Sequence, residues 1–362
     1  MKEIVILFLC ALLITSCIDR LNIKVPDSNA SQLVVDGLIT DEPGPYTVQL
    51  SLATRVDGFL EFRKLVTVRR VTIFDNLGNT EDLTETEQGT YQTKPNGIRG
   101  VVGRAYAVRI ETLDGKTFES IPDKMNPVGS LDSVYYKREA FKPLDEATRF
   151  GLRVYADGRG VANGDNLFRW KYTGTYQIST FPLHHREPNC EPNPRECGGF
   201  GINVCTCCDC WVSQYENQPF VSDNQFVSQG SFRNIEVGYV PLEYIPFQKK
   251  YRMEVKQMSL SRAAFDYWKT IQSQKEGGSS LFQPPTGKTR TNIFEKNGLA
   301  EAQGIFYASS VSLKQTYLTN EQIRGLFLDI PTVSYCAPPG EIQEDCRLAF
   351  PHSTTTKPPD WK

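Results

Sequence analysis

Tyr46-Thr47-Val48-Gln49-Leu50-Ser51-Leu52 alternates apolar and polar residues with a period of two. Val48, Leu50 and Leu52 fall on one face and Thr47, Gln49 and Ser51 on the other. That is the pattern of a strand with one side in a core. Upstream, Leu33-Val34-Val35-Asp36-Gly37-Leu38-Ile39 is a second β-type run, set off by the turn Asp41-Glu42-Pro43-Gly44-Pro45. Downstream come residues 65–74, 89–93 and 105–112. The last leads through Asp114-Gly115, a hairpin signal, into Thr117-Phe118-Glu119-Ser120. Short strands at this spacing predict an antiparallel sandwich that closes near Asn126-Pro127.

The second half continues in the same style. Strands are expected at 130–137, 150–156, 166–178, 232–240 and 251–257, with Asp157-Gly158-Arg159-Gly160 as a turn. The 166–178 segment carries Phe168, Trp170, Tyr172 and Tyr176. One helix is expected at 261–276. Ser261 can cap its first-turn amides, Ala264, Trp268 and Ile271 form a stripe with Phe265 and Tyr267 beside it, and Gly277-Gly278 ends it. Residues 304–310 and 312–318 read as paired strands, and 351–362 as a Ser/Thr/Pro tail. The fold class is therefore mainly β, with two antiparallel β-sandwich-like domains at 31–127 and 128–350. The second holds the amphipathic helix and a Cys-rich insertion at 182–210.

The N-terminus supplies an address. Lys2 precedes an apolar run at residues 4–14, followed by Ile14-Thr15-Ser16-Cys17. A charged start, a short apolar core and small residues before a cleavage point make a secretory signal over 1–16, and the run is too short to span a bilayer. A cysteine at the cleavage point turns that signal into a lipobox. Cys17 is the expected lipidation site, and residues 17–30 are the expected tether. The net charge of −2 provides no basic excess for phosphates, which disfavours nucleic acid as a partner.

Ten cysteines are present. Cys10 leaves with the signal and Cys17 takes lipid. Cys190, Cys197, Cys205, Cys207, Cys208, Cys210, Cys336 and Cys346 remain, and outside the cytoplasm they read first as disulfides. Adjacent Cys207 and Cys208 should reach different partners, and Cys336 with Cys346 makes a candidate pair. The alternative is a zinc site built from the cluster with His184 and His185, but the two-residue spacings Cys205/Cys208 and Cys207/Cys210 interleave.

No catalytic motif names a reaction. The three histidines, His184, His185 and His352, sit in the insertion and the tail, and no G-x-S-x-G elbow occurs. Thr286-Gly287-Lys288-Thr289 lacks the glycine a phosphate loop needs at position 282, which is Phe282. Asp157, Asn163 and Asp165 fail the EF-hand spacing and suit turns better than calcium. Trp170, Trp211, Tyr215 and Trp268 could stack on sugar rings, though packing is their commoner use. No cofactor is implied.

The run from Leu33 through Tyr46-Thr47-Val48 closely resembles the opening of a Bacteroidota lipoprotein family, domain of unknown function 4249. Four further stretches resemble it in order: Asn166-Leu167-Phe168-Arg169-Trp170; Leu260-Ser261-Arg262-Ala263-Ala264-Phe265-Asp266-Tyr267-Trp268; Phe282-Gln283-Pro284-Pro285 with Asn292-Ile293 and Gly304-Ile305-Phe306-Tyr307-Ala308-Ser309; and Cys346 with Lys357-Pro358-Pro359-Asp360-Trp361. The resemblance implies an outer-membrane lipoprotein, commonly encoded beside TonB-dependent transporters, with no established catalytic residues. The expected function is thus a non-enzymatic envelope lipoprotein, held in outer-membrane lipid through Cys17, that captures a ligand for such a transporter or caps it. Alternatives are a lipid-anchored hydrolase of glycans or peptides, recognisable by a pocket with two carboxylates, and a structural or adhesive surface module.

Overall fold

The computed structural model describes residues 32–53, 64–141, 149–180, 209–277, 289–326 and 346–361, apart from residues 163, 216–218, 224, 226, 228, 229, 244, 248, 299, 301 and 359. The signal, the tether and Cys17 lie outside these residues, as does the insertion up to residue 208. Among the described residues no helix is long and apolar enough to cross a membrane.

The first part of the chain supplies β1 (Leu33–Thr40), β2 (Thr47–Leu52), β3 (Lys64–Leu65), β4 (Arg70–Asp75), β5 (Thr80–Asp82), β6 (Thr84–Glu87), β7 (Thr90–Gln92), β8 (Ala105–Glu111), β9 (Thr117–Ser120) and β10 (Asp123–Lys124). Then follow β11 (Ser130–Phe141), β12 (Arg149–Arg159), β13 (Phe168–Ser179), β14 (Asp209–Tyr215), β15 (Phe220–Ser222), β16 (Ser231–Pro241) and β17 (Lys250–Ser259). The last elements are helix α1 (Arg262–Gly277), β18 (Ile293–Glu295), β19 (Gln303–Ser309), β20 (Val311–Leu318) and the short helices α2 (Asn320–Leu326) and α3 (Cys346–Ala349).

Two sheets enclose the first core. One has the order β19-β1-β2-β7-β6 with β3 against β2, the other β18-β9-β8-β4-β5 with β10 against β8. The alternating residues read from the sequence meet between them: Val35, Val48 and Leu50 from one sheet, Val71, Ile73, Val108 and Ile110 from the other. Two strands of this sandwich, β18 and β19, come from beyond residue 290. Thus the division at 127/128 describes the order of the chain but not the pairing of its strands.

The second sandwich packs the three-stranded sheet β11-β12-β16 against β14-β13-β17-β20, with β15 against β13. Its core is aromatic: Phe168 and Trp170 stand edge-on to each other, and Trp170 meets Phe232 at 5.3 Å between centroids. Strand β12 runs to Arg159, so residues 157–159 of the expected turn are instead strand. Gly158 makes this possible, because Phe232 and the Ser130 carbonyl occupy the space a Cβ would take.

The expected pairing of 304–310 with 312–318 is incorrect. β19 lies parallel to β1, from Val34↔Gln303 to Thr40↔Ser309, whereas β20 is antiparallel to β17. Only Ser310 separates the two strands, too little chain to reverse as a hairpin. Its amide donates to Ser259 Oγ (2.9 Å) and its hydroxyl to the Asn126 carbonyl (2.8 Å), while the next amide, Val311, donates to Asp41 Oδ1 (2.9 Å). These bonds hold the chain straight as it crosses from one sandwich to the other.

Helix α1 begins where its cap predicts: the Ala264 amide donates to Ser261 Oγ (3.1 Å). It covers the seam, burying Ala264 and Phe265 against Ile305 and Tyr307 of the first sandwich and Leu167 and Val221 of the second. Beneath it, the carboxylate of buried Asp123 accepts from the Ala308 amide (2.9 Å) and from the Ser261 hydroxyl. The segment expected to be a Ser/Thr/Pro tail is docked over its described part. Thr354 bridges to Trp211, and Trp361 is buried edge-on to Trp211 and Tyr317. An aromatic side chain at its end gives this polar stretch something to bury.

Candidate functional site

Period two along β13 sends Phe168, Trp170 and Tyr172 into the core and leaves Arg169, Lys171 and Thr173 on the opposite face. Lys256 of β17 stands directly across from Lys171, and Tyr215 of β14 across from Thr173. Helix α1 borders this face with Trp268, Ile271 and Lys275. Arg169, Lys171, Thr173 and Tyr215 line, with these helix residues, a cavity of about 310 Å³, small but within the range of ligand sites. Tyr215 stands 70 % exposed beside it.

The cations differ in how they are held. The Arg169 guanidinium stacks on Trp268, 3.4 Å from the ring centroid, and donates through Nη1 to the buried Tyr307 hydroxyl (2.6 Å). Lys256 pairs with both carboxylate oxygens of Glu42 at 2.8 and 2.9 Å. Lys171 has no hydrogen bond or ion pair among the described residues; its charged neighbours are Arg169, Lys256, Asp36 and Glu42. Burial, followed by repulsion from Arg169, pulls its amine from 10.5 down to about 8. Burial likewise pushes the neighbouring Tyr267 hydroxyl up to about 12, with the Asp36 charge adding to the shift. Two fully buried donors nearby, Arg169 Nε and Trp268 Nε1, lack acceptors among the described residues.

A larger cavity, about 520 Å³, opens on the first sandwich beside Asp75, Glu81 and Arg104. Its carboxylates already serve the protein. Asp75 accepts from the Leu77 and Asn79 amides (both 2.9 Å) and from Arg104 (3.1 Å), and Glu81 accepts from the amides of Lys94 and Ile98. The α1 cavity is different, because Lys171 has no partner among the described residues.

Of the expected disulfide cysteines, Cys210 and Cys346 are bonded to each other, 6.1 Å apart at Cα and 136 residues apart in sequence. This replaces the expected Cys336–Cys346 pair. β14 delivers Cys210, and α3 delivers Cys346, to the same buried edge of the second core. Cys190, Cys197, Cys205, Cys207, Cys208 and Cys336 lie outside the described residues, with His184 and His185. Among the described residues no cluster of three or more metal-ligating side chains occurs. Asp157, on strand β12 and not in a turn, accepts from the Tyr135 hydroxyl (3.1 Å) and the Asn234 amide (2.7 Å) of the two neighbouring strands; Asn163 is outside the described residues. Of the four aromatics singled out, Trp170 is core and Trp211 packs on the C-terminal segment, while Tyr215 and Trp268 stand at the cavity.

The family model described as "Domain of unknown function (DUF4249)" matches residues 18–315. The chain belongs to the DUF4249 family. No curated protein matches it. The DUF4249 match covers every strand from β1 to β19, helix α1 and the first part of β20, hence the first sandwich, nearly all of the second and the whole cavity; the docked C-terminal segment lies beyond it. Sequence reasoning missed the pairing of Arg169 and Lys171 with α1. A signal was present in Arg169-Trp170-Lys171-Tyr172, where strand alternation puts two cations on the face that is not core.

Proposed function

We propose that this DUF4249 protein is a non-enzymatic lipoprotein, anchored in outer-membrane lipid through Cys17, that captures a small ligand for a TonB-dependent transporter. The observation that carries the ligand-capture reading is Lys171, without a hydrogen bond or ion pair among the described residues, in a cavity walled by Trp268 and Tyr215 beside the helix that covers the seam of the two sandwiches. A cavity with one unsatisfied cation suits retention of an oppositely charged molecule. The lipobox and the family resemblance support the anchor and the transporter. The hydrolase reading has less support. The carboxyls that burial holds above their usual range, Asp41 and Asp123, each accept a backbone amide at the seam, from Val311 and Ala308.

Affinity purification of the tagged protein from native membranes tests this reading. It should recover a TonB-dependent transporter, and Cys17→Ala should move the protein to the soluble fraction. Repeated recovery without a transporter, or a Cys17→Ala variant that still sediments with membranes, overturns it.

A further inference from the structure

We propose that the cavity between β13 and α1 binds a small organic monocarboxylate, with the carboxylate on Lys171 and an apolar body against Trp268, Ile271 and Tyr215. This rests on the ligand-capture reading above and names the chemistry of its ligand.

The argument starts from charge. Around Lys171, the cations Arg169 and Lys256 and the carboxylates Asp36 and Glu42 are fixed by β13, β17, β1 and the turn after β1. Among the described residues these make three cations, Lys171 included, against two anions, which leaves one positive charge uncompensated. A single carboxylate neutralises it, whereas a phosphate dianion would set a second negative charge beside Asp36 and Glu42. Lys275 adds charge on the helix side, where it is exposed and screened.

Hydrogen bonding and shape agree with the charge. The Lys171 ammonium has no acceptor among the described residues, and a donor-only ammonium favours an acceptor-only group such as a carboxylate. Apart from Thr173 and Lys275 the remaining wall is apolar or aromatic, and about 310 Å³ leaves room for a ring or short chain but not for an extended polymer.

Binding must also favour protonated Lys171. With the amine at about 8, affinity should be highest below that pH and fall as pH rises through it, and a bound carboxylate should raise the amine in turn.

Calorimetric titration of the full chain with phenylacetate tests the proposal, with phenethylamine, toluene and inorganic phosphate as comparison probes. Phenylacetate alone should bind, and binding should weaken between about pH 7 and pH 9. Lys171→Met should weaken it by at least about tenfold, and Lys171→Arg should stay within about threefold of the parent. Trp268→Ala should also weaken binding, and circular dichroism checks that each variant is folded. Equal binding of phosphate, absence of phenylacetate binding at about 10 mM, or unchanged affinity in a folded Lys171→Met protein overturns the proposal. If a transporter is still recovered from membranes in those cases, the ligand class alone has failed and the capture reading stands.

Discussion

The two sandwiches close their cores by different means. Residues 31–127 contain no cysteine, and their sandwich is completed by backbone pairing with strands from far along the chain: β19 against β1, and β18 against β9. The second sandwich keeps its own strands together but ties its edge with the Cys210–Cys346 bond and the docked segment ending in Trp361. The difference teaches where each is vulnerable. The first depends on a long-range β-pairing that any redox condition leaves intact. The second depends on an oxidised bond and on side-chain contacts at a single edge.

The largest expected effect breaks the first arrangement. Phe306 of β19 is fully buried and covers Gly37 of β1, where a Cβ would collide with its ring. Phe306→Ala should cost about 3–5 kcal/mol. Hydrogen exchange should speed up first in β1, β2 and β8, leaving β13 and β17 protected; uniform loss of protection would show that the two cores do not open separately. Next in size, Cys346→Ala, or reduction of the parent, should cost roughly 2–5 kcal/mol, because the bond closes a loop of more than a hundred residues. That loss should appear in the second sandwich and leave the first unchanged.

The smallest effect concerns Lys171. Its folded-state amine, at about 8, lies below the unfolded value of 10.5, so the charged form is disfavoured by folding. The cost is fully present below pH 8 and fades as pH rises from about 8 to 10.5, where the folded protein has already released a proton that the unfolded chain still holds. Lys171→Met should therefore stabilise the protein by about 1–2 kcal/mol at pH 7 and by much less near pH 10.5, as denaturant titrations at both pH values would show. A gain that is equal at both pH values would place its origin in packing rather than in charge.

Much of the local structure is legible in the sequence. Alternation around Val48, Leu50, Trp170 and Tyr172 marks strands and their inward faces, and Ser261 marks the start of α1 to the residue. Short or polar strands such as β5, β6 and β15 carry too few apolar residues to announce themselves. The docked end of the chain reads as a tail because one tryptophan gives no period. The site is less legible than the fold. Lys171 looks like any exposed strand lysine until α1 covers its face.

Strand identity, helix start, cysteine number and the N-terminal address are local properties, and neighbouring residues alone determine them. Pairing is different. That β19 joins β1, that Cys210 finds Cys346 and that Trp268 settles over Arg169 depend on which buried faces meet after collapse. Several pairings satisfy the same alternation, and only simultaneous packing of both cores selects among them.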